Sequence, residues 1–135
     1  MSRYQFHRLS NARMKDVRQL MWEVFSYRAT EEYLCAKYDT RHIGIQHLCF
    51  LAYDGDRPIA FHGAFPQLFA DQQGQFLAAQ ACDFFTVPDY QRQGISRDLG
   101  RAAYELMRSE GIRFIYAYHS ENTYHSLKKL DWEEG

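Results

Sequence analysis

With 135 residues, the chain is the size of one domain and can bury a real core. Hydrophobic residues make up 46% and aromatics 16%, a composition that excludes a disordered chain. The net charge of −1 argues against a dominant nucleic-acid or membrane-surface role.

The first element is a weakly alternating strand over Tyr4–Leu9. Ser10 or Asn11 then caps a helix, and Met14, Val17, Leu20, Met21, Val24 and Phe25 recur along one face of it as a core stripe. A shorter helix is expected over Glu31–Tyr38, and a strand over Leu48–Tyr53. Asp54-Gly55-Asp56 signals a hairpin, from which Pro58–Phe69 returns as a long strand. Asp71-Gln-Gln-Gly74 is a second hairpin, followed by a third long strand over Phe76–Val87. Gly94–Arg108 reads as a helix that buries Ile95, Leu99, Ala102, Ala103 and Leu106 and ends at Gly111. Phe114–Tyr118 is a further strand, and Asn122–Leu130 a last short helix. Repeats, low-complexity tracts and linkers are absent from the sequence.

The three cysteines, Cys35, Cys49 and Cys82, are odd in number and lack Cys-x-x-Cys spacing. They read as buried or incidental thiols in a reducing compartment, not as a disulfide frame or a zinc site. No apolar run approaches ~18 residues, and Met-Ser-Arg-Tyr-Gln-Phe-His lacks the apolar core of a signal peptide. A cytoplasmic protein is expected. His7, His42, His47, His62 and His125 share no ligand spacing, and Ser96 and Ser126 sit in no nucleophile pattern, so neither a metal site nor serine chemistry is expected.

The segment Asp83-Phe-Phe-Thr-Val-Pro-Asp-Tyr-Gln-Arg-Gln-Gly-Ile-Ser-Arg-Asp-Leu99 carries the most chemistry. An apolar strand runs into Pro88, crosses a polar loop and meets Gly94 at the start of an amphipathic helix. Such a junction points backbone N–H groups and the positive end of a helix dipole at one spot, which suits a phosphate or pyrophosphate. Gly94 has no Cβ, so an anion can approach the backbone closely, and Arg92 and Arg97 add positive charge.

Gln91-Arg92-Gln93-Gly94-Ile95-Ser96, preceded by Pro88 and Tyr90, resembles motif A of the GNAT N-acetyltransferases, Gln/Arg-x-x-Gly-x-Gly/Ala, with Ser96 where Gly or Ala is usual. Arg113–Asn122 resembles the fifth strand and the start of motif B, and Lys128-Lys-Leu-Asp-Trp132 resembles its ending, with Asp131 in place of Gly. Lys37-Tyr-Asp, Phe61-His-Gly-Ala-Phe-Pro66 and Ala78-Ala-Gln-Ala-Cys-Asp83 resemble a bacterial subgroup of the family. The resemblance covers nearly the whole chain. It implies a single α/β (α+β) domain over residues 1–135, with a mixed, mostly antiparallel sheet flanked by helices in the order β-α-α-β-β-β-α-β-α. A complete domain of this family carries one or two more strands than the chain reaches at Gly135, so a C-terminally short domain, or a homodimer that completes the sheet edge, is expected.

What the resemblance implies is transfer of an acetyl group from acetyl-CoA to a primary amine of a small molecule by direct attack, with no nucleic-acid or membrane partner. The cofactor arm would lie where the fourth and fifth strands splay, against Phe85, Thr86 and Val87. Its pyrophosphate would sit on Gln91, Arg92, Gln93, Gly94, Ile95 and Ser96, with Asn122 contacting the arm. The reaction needs a base for the ammonium and a donor for the leaving thiolate. Asp83 on the fourth strand reads either as that base or as a buried carboxylate satisfied by backbone or Tyr donors. His119 reads as a base acting through water or as a polar strand end, and Tyr124 as the general acid. Tyr27, Tyr33 and Tyr38 either line an acceptor pocket or close a small core. Lys128 and Lys129 read as a solvated helix end or as contacts to the cofactor's ribose phosphate. The competing readings are a non-catalytic acyl-CoA-binding or assembly domain, and a fragment of a longer acyltransferase.

Overall fold

The computed structural model describes residues 3–117. His119, Asn122, Tyr124, the short helix expected over Asn122–Leu130 and Lys128–Trp132 lie outside the described residues. The elements are β1 (Gln5–Arg8), α1 (Met14–Phe25), α2 (Glu31–Lys37), β2 (Phe50–Asp54), β3 (Arg57–Asp71), β4 (Gly74–Thr86), α3 (Ile95–Ser109) and β5 (Ile112–Tyr116). Short 3₁₀ turns at Asn11–Arg13, Arg41–Ile43 and Pro88–Tyr90 punctuate them. The strands form one sheet in sequence order. β1 to β4 pair antiparallel, and β5 lies parallel to β4. The expected mixed, mostly antiparallel sheet flanked by helices is therefore present.

Both hairpin signals close two-residue turns, Asp54 facing Arg57 and Asp71 facing Gly74. Gly55 supplies a positive φ of 60° in the first, and in the second Asp71 Oδ1 accepts from the Gln73 N–H at 2.8 Å.

The helices lie on opposite faces of the sheet. Phe61 and Phe65 of β3 contact the Tyr38 ring at the end of α2, with centroids 5.5 and 5.4 Å away. The intervening His62 points the other way and meets Tyr104 of α3 at 5.9 Å. This is the strand's period-two alternation. Met14, Val17, Leu20 and Met21 of α1 are buried as the stripe requires, whereas Val24 is half-buried and Phe25 is exposed at the helix end. Thr30 caps α2 by accepting from the Tyr33 N–H at 3.0 Å. Ser10 makes no side-chain cap. It precedes the Asn11–Arg13 turn, and α1 proper begins after Arg13.

One expected face is corrected. α3 buries Ile95, Leu99, Gly100, Ala103 and Met107, and leaves Ala102 and Leu106 only half-buried. Successive i, i+4 steps from Ile95 reach Met107, and the face is centred on that row. Gly111 follows the last turn with φ +82°, the left-handed residue that ends the helix. Of the cysteines, Cys49 is buried and Cys35 and Cys82 are half-buried, all three as free thiols.

His62 is 3% exposed, and neither ring nitrogen has a hydrogen-bond partner among the described residues. Burial pushes its pKa down from 6.5 to about 4. The unfolded chain therefore binds a proton between those values that the folded chain refuses. Stability should fall as pH drops from 6.5 to 4, by up to about 3 kcal/mol. Urea unfolding of His62→Phe beside the parent chain should show that this part of the slope has gone. For the helix face, Met107→Ala should cost about 2–5 kcal/mol and Leu106→Ala clearly less, read from the same unfolding curves.

Candidate active site

The site grows from a break in the β3–β4 ladder. His62 faces Phe84 and Gly63 faces Cys82, so Asp83 is an extra residue on β4, a β-bulge. Asp83 adopts φ +58°, a left-handed conformation that Asp tolerates better than most side chains. The bulge needs room on β3. A Cβ at Gly63 would come 2.9 Å from the Cys82 carbonyl oxygen, 2.9 Å from Phe61 Cε2 and 3.3 Å from Asp83 Cβ. A glycine inside a strand that otherwise reads Phe-His-x-Ala-Phe is thus explained by close backbone approach.

The bulge turns the Asp83 carboxylate toward the α1–α2 face. There Oδ2 accepts from Tyr38 Oη at 2.8 Å and pairs with Lys37 Nζ at 3.0 Å. Tyr38 is 1% exposed, so of its two expected roles the structure shows the core one. Burial, and then the Asp83 carboxylate, push the Tyr38 pKa far up, and the phenol stays a donor. Burial and the same carboxylate push the Cys82 thiol up to about 12, and burial pushes Cys49 up to about 12.

Beyond the bulge β4 remains joined to β3, with Phe85 facing Phe61 and Thr86 facing Ala60. The Val87 N–H donates to the Ile59 carbonyl at 2.9 Å. On its other side, pairing with β5 runs from Leu77 to Gln80 and, among the described residues, goes no further. Among the described residues, the edge over residues 81–86 has no strand partner on β5's side. Phe85 is buried, and its ring is edge-on to Phe25 at 5.4 Å, which ties the end of α1 to this stretch. Tyr27 and Tyr33 are each half exposed; Tyr27, Trp22, Arg18 and Arg28 line an open pocket of about 340 Å³ beside α1, with the Arg28 guanidinium 4.9 Å over the Trp22 ring.

The strand-to-helix junction follows. Pro88 starts the 3₁₀ turn, and Tyr90 pins it by donating to Asp54 Oδ2 at 2.5 Å, with the Arg57 guanidinium 5.2 Å over its ring. The Gln side chains brace the loop: Gln91 Nε2 donates to the Thr86 carbonyl at 3.1 Å, and Gln93 Oε1 accepts from Tyr4 Oη at 2.6 Å. Arg92 (φ +64°) and Gly94 (φ +80°) both take left-handed conformations, and Gly94 is the N-cap of α3. The first bond inside the helix is Asp98 N–H to the Gly94 carbonyl, so the N–H groups of Ile95, Ser96 and Arg97 have no partner within it. The Arg97 guanidinium lies over this opening, 3.0 Å from where a Gly94 Cβ would be.

Phe85, Thr86, Val87 and the 91–96 loop thus form one continuous stretch leading from the Asp83 bulge to the helix N-terminus. Sequence reasoning named Lys37 and Gly63 only within segments that resemble the family and gave them no role at the site, and it did not foresee the bulge; the mid-strand glycine was the signal available for it. Among the described residues no cluster of His, Cys, Asp and Glu could hold a metal ion, and no helix is long and apolar enough to cross a membrane.

The sequence profile of the Acetyltransferase (GNAT) family matches residues 14–130, and the chain belongs to that family. No curated protein sequence matches it significantly. Solved structures share the fold at low identity. An acetyltransferase of Trypanosoma brucei is 17% identical with a TM-score of 0.77, over 98% of this chain and 94% of that one. The ribosomal-protein-S18-alanine N-acetyltransferase of Escherichia coli is 17% identical with a TM-score of 0.71, over 98% and 79%. An aminoglycoside acetyltransferase from an uncultured soil metagenomic sample is 16% identical with a TM-score of 0.72, over 100% and 94%. The protein is a GNAT acetyltransferase.

Gly63→Ala should destabilise the chain by about 1–3 kcal/mol, because the new methyl meets backbone and a packed ring.

Proposed function

We propose that the protein transfers an acetyl group from acetyl-CoA to a primary amine of a small molecule, by direct attack of the amine on the thioester. The observation that supports this most is the β4 edge that, among the described residues, has no β5 partner and runs from a bulged carboxylate to a helix N-terminus whose first N–H groups have no partner within the helix. In this reading the pantetheine amides pair with the exposed backbone at Phe85, Thr86 and Val87. The pyrophosphate lies on the N–H groups of Gln91–Ser96, where the helix dipole and the Arg92 and Arg97 charges oppose its own. Gly94, in its left-handed turn, adds no side chain of its own to that approach, which the Arg97 guanidinium overlies.

Asp83 serves as the base in this reading. Tyr38 holds one of its oxygens by a buried phenol, so the carboxylate is oriented before an amine arrives. Direct attack is favoured over an acyl-enzyme because Cys82, beside Asp83 on β4, and Cys49, just before β2, are held protonated by burial. The roles of Asn122, His119 and Tyr124 as cofactor contact, water-mediated base and acid belong to the same proposal.

Titration calorimetry with acetyl-CoA and with CoA should show micromolar binding. Gly94→Val should abolish it, and unchanged affinity in that variant would remove the loop from the binding site. Asp83→Asn should leave the affinity within about twofold and lower CoA release with a panel of small amines by about 10²-fold or more. Full turnover in that variant would exclude Asp83 as base.

A further inference from the structure

Lys37 is the last residue of α2, and Tyr38 is its C-cap. These consecutive residues converge on one oxygen of Asp83, Lys37 Nζ at 3.0 Å and Tyr38 Oη at 2.8 Å. The phenol is a fixed donor. The ammonium is something else, because a primary amine held against the proposed base is in the position that an acceptor amine requires. The Lys37 and Asp83 side chains are each 29% exposed, so the pair lies at a mouth and is not sealed in the core. Asp83 comes three residues after Gln80, the last β4 residue that pairs with β5 among the described residues. The chain has four lysines: Lys15, Lys37, Lys128 and Lys129. Of the two described, Lys15 is exposed on α1 and has no such carboxylate partner.

Resting on the function proposed above, we propose that Lys37 is an internal acceptor and that the enzyme acetylates its own Lys37 ε-amine. The step balances as follows. One proton leaves the Lys37 ammonium for the Asp83 carboxylate. The freed lone pair adds to the thioester carbonyl carbon, the carbon–sulfur bond breaks, and the sulfur leaves with the electron pair. A second proton passes from the new amide nitrogen to that sulfur, and Asp83 returns its proton to water. The products are Nε-acetyl-Lys37, CoA thiol and one proton. Positioning that an external amine must gain by binding is already present in the folded chain. The product has no charge at position 37, so Asp83 keeps its Tyr38 hydrogen bond but loses its internal cation. The carboxylate then meets an incoming amine without a resident competitor.

The test is incubation of the purified full chain with acetyl-CoA and no added amine, followed by intact mass and peptide mapping. The expected result is one acetyl group per chain, on Lys37, at a rate independent of protein concentration. It should be absent in Lys37→Arg and at least about tenfold slower in Asp83→Asn. Proximity is read without turnover by treating Lys37→Cys with CoA disulfide. A mixed disulfide with CoA should form at position 37, beyond any that the parent chain forms, and should persist when Asp83→Asn is added. Acetylation spread over the other lysines, none at all, or no disulfide at 37 would overturn the inference while calorimetry still showed acetyl-CoA bound. Failure to bind acetyl-CoA would overturn both this inference and the function on which it rests.

Discussion

The bulge at Asp83 is the constraint on which the site depends. One extra residue on β4 turns a carboxylate toward the helices, and the ladder to β3 then resumes with Phe84 against His62. Gly63 allows it, because any side chain there would run into the Cys82 carbonyl and the Phe61 ring. Tyr38 and Lys37 fix its direction from α2. A left-handed Asp inside a strand is a local cost, and it is kept where surrounding contacts over-determine it. Those contacts are the two donors from α2 and the resumed pairing on either side.

The same strand separates two tasks. Its first half is an interior strand, paired on both sides from Leu77 to Gln80, with Ala78 and Ala79 buried. Its second half is, among the described residues, paired to β3 alone and presents an edge. An open edge is a hazard in most proteins because it pairs with whatever strand arrives. Here the Gln91 side chain occupies the last carbonyl, at Thr86. The helix N-terminus beyond adds the charge preference that the neutral backbone edge lacks. Family membership implies an acyl-CoA co-substrate.

Much of the layout was legible in the sequence because it rests on local signals. The two hairpins follow from Asp-Gly and Asp-x-x-Gly turns, the α1 stripe from helical spacing, and the strand-to-helix junction from Pro88 and Gly94. What sequence reasoning missed was set at long range. Lys37 and Tyr38 meet a carboxylate that is 45 positions away from Tyr38, and no spacing rule reports such a meeting. The α3 face was misplaced by one position, because Leu106 outranks Met107 in hydrophobic pattern while the neighbouring sheet admits Met107. Asp83 was singled out, but its left-handed backbone and its bulge were not. Its local sequence, Cys-Asp-Phe-Phe, reads as an ordinary strand.

The tie between Tyr90 and Asp54 has a consequence for the order in which the protein is made. The 91–96 loop takes its shape from a hydrogen bond to a hairpin 36 positions upstream, and from Gln93 reaching the Tyr4 hydroxyl just before β1. Synthesis delivers those partners first, so the loop emerges from the ribosome onto a template already present. A chain whose early strands have failed to pair still contains every residue of the loop yet offers the ligand no formed cradle. Under the proposed function, ligand capture by the loop would therefore report on the integrity of the opposite end of the sequence, making the small molecule an inspector of folding as much as a reactant.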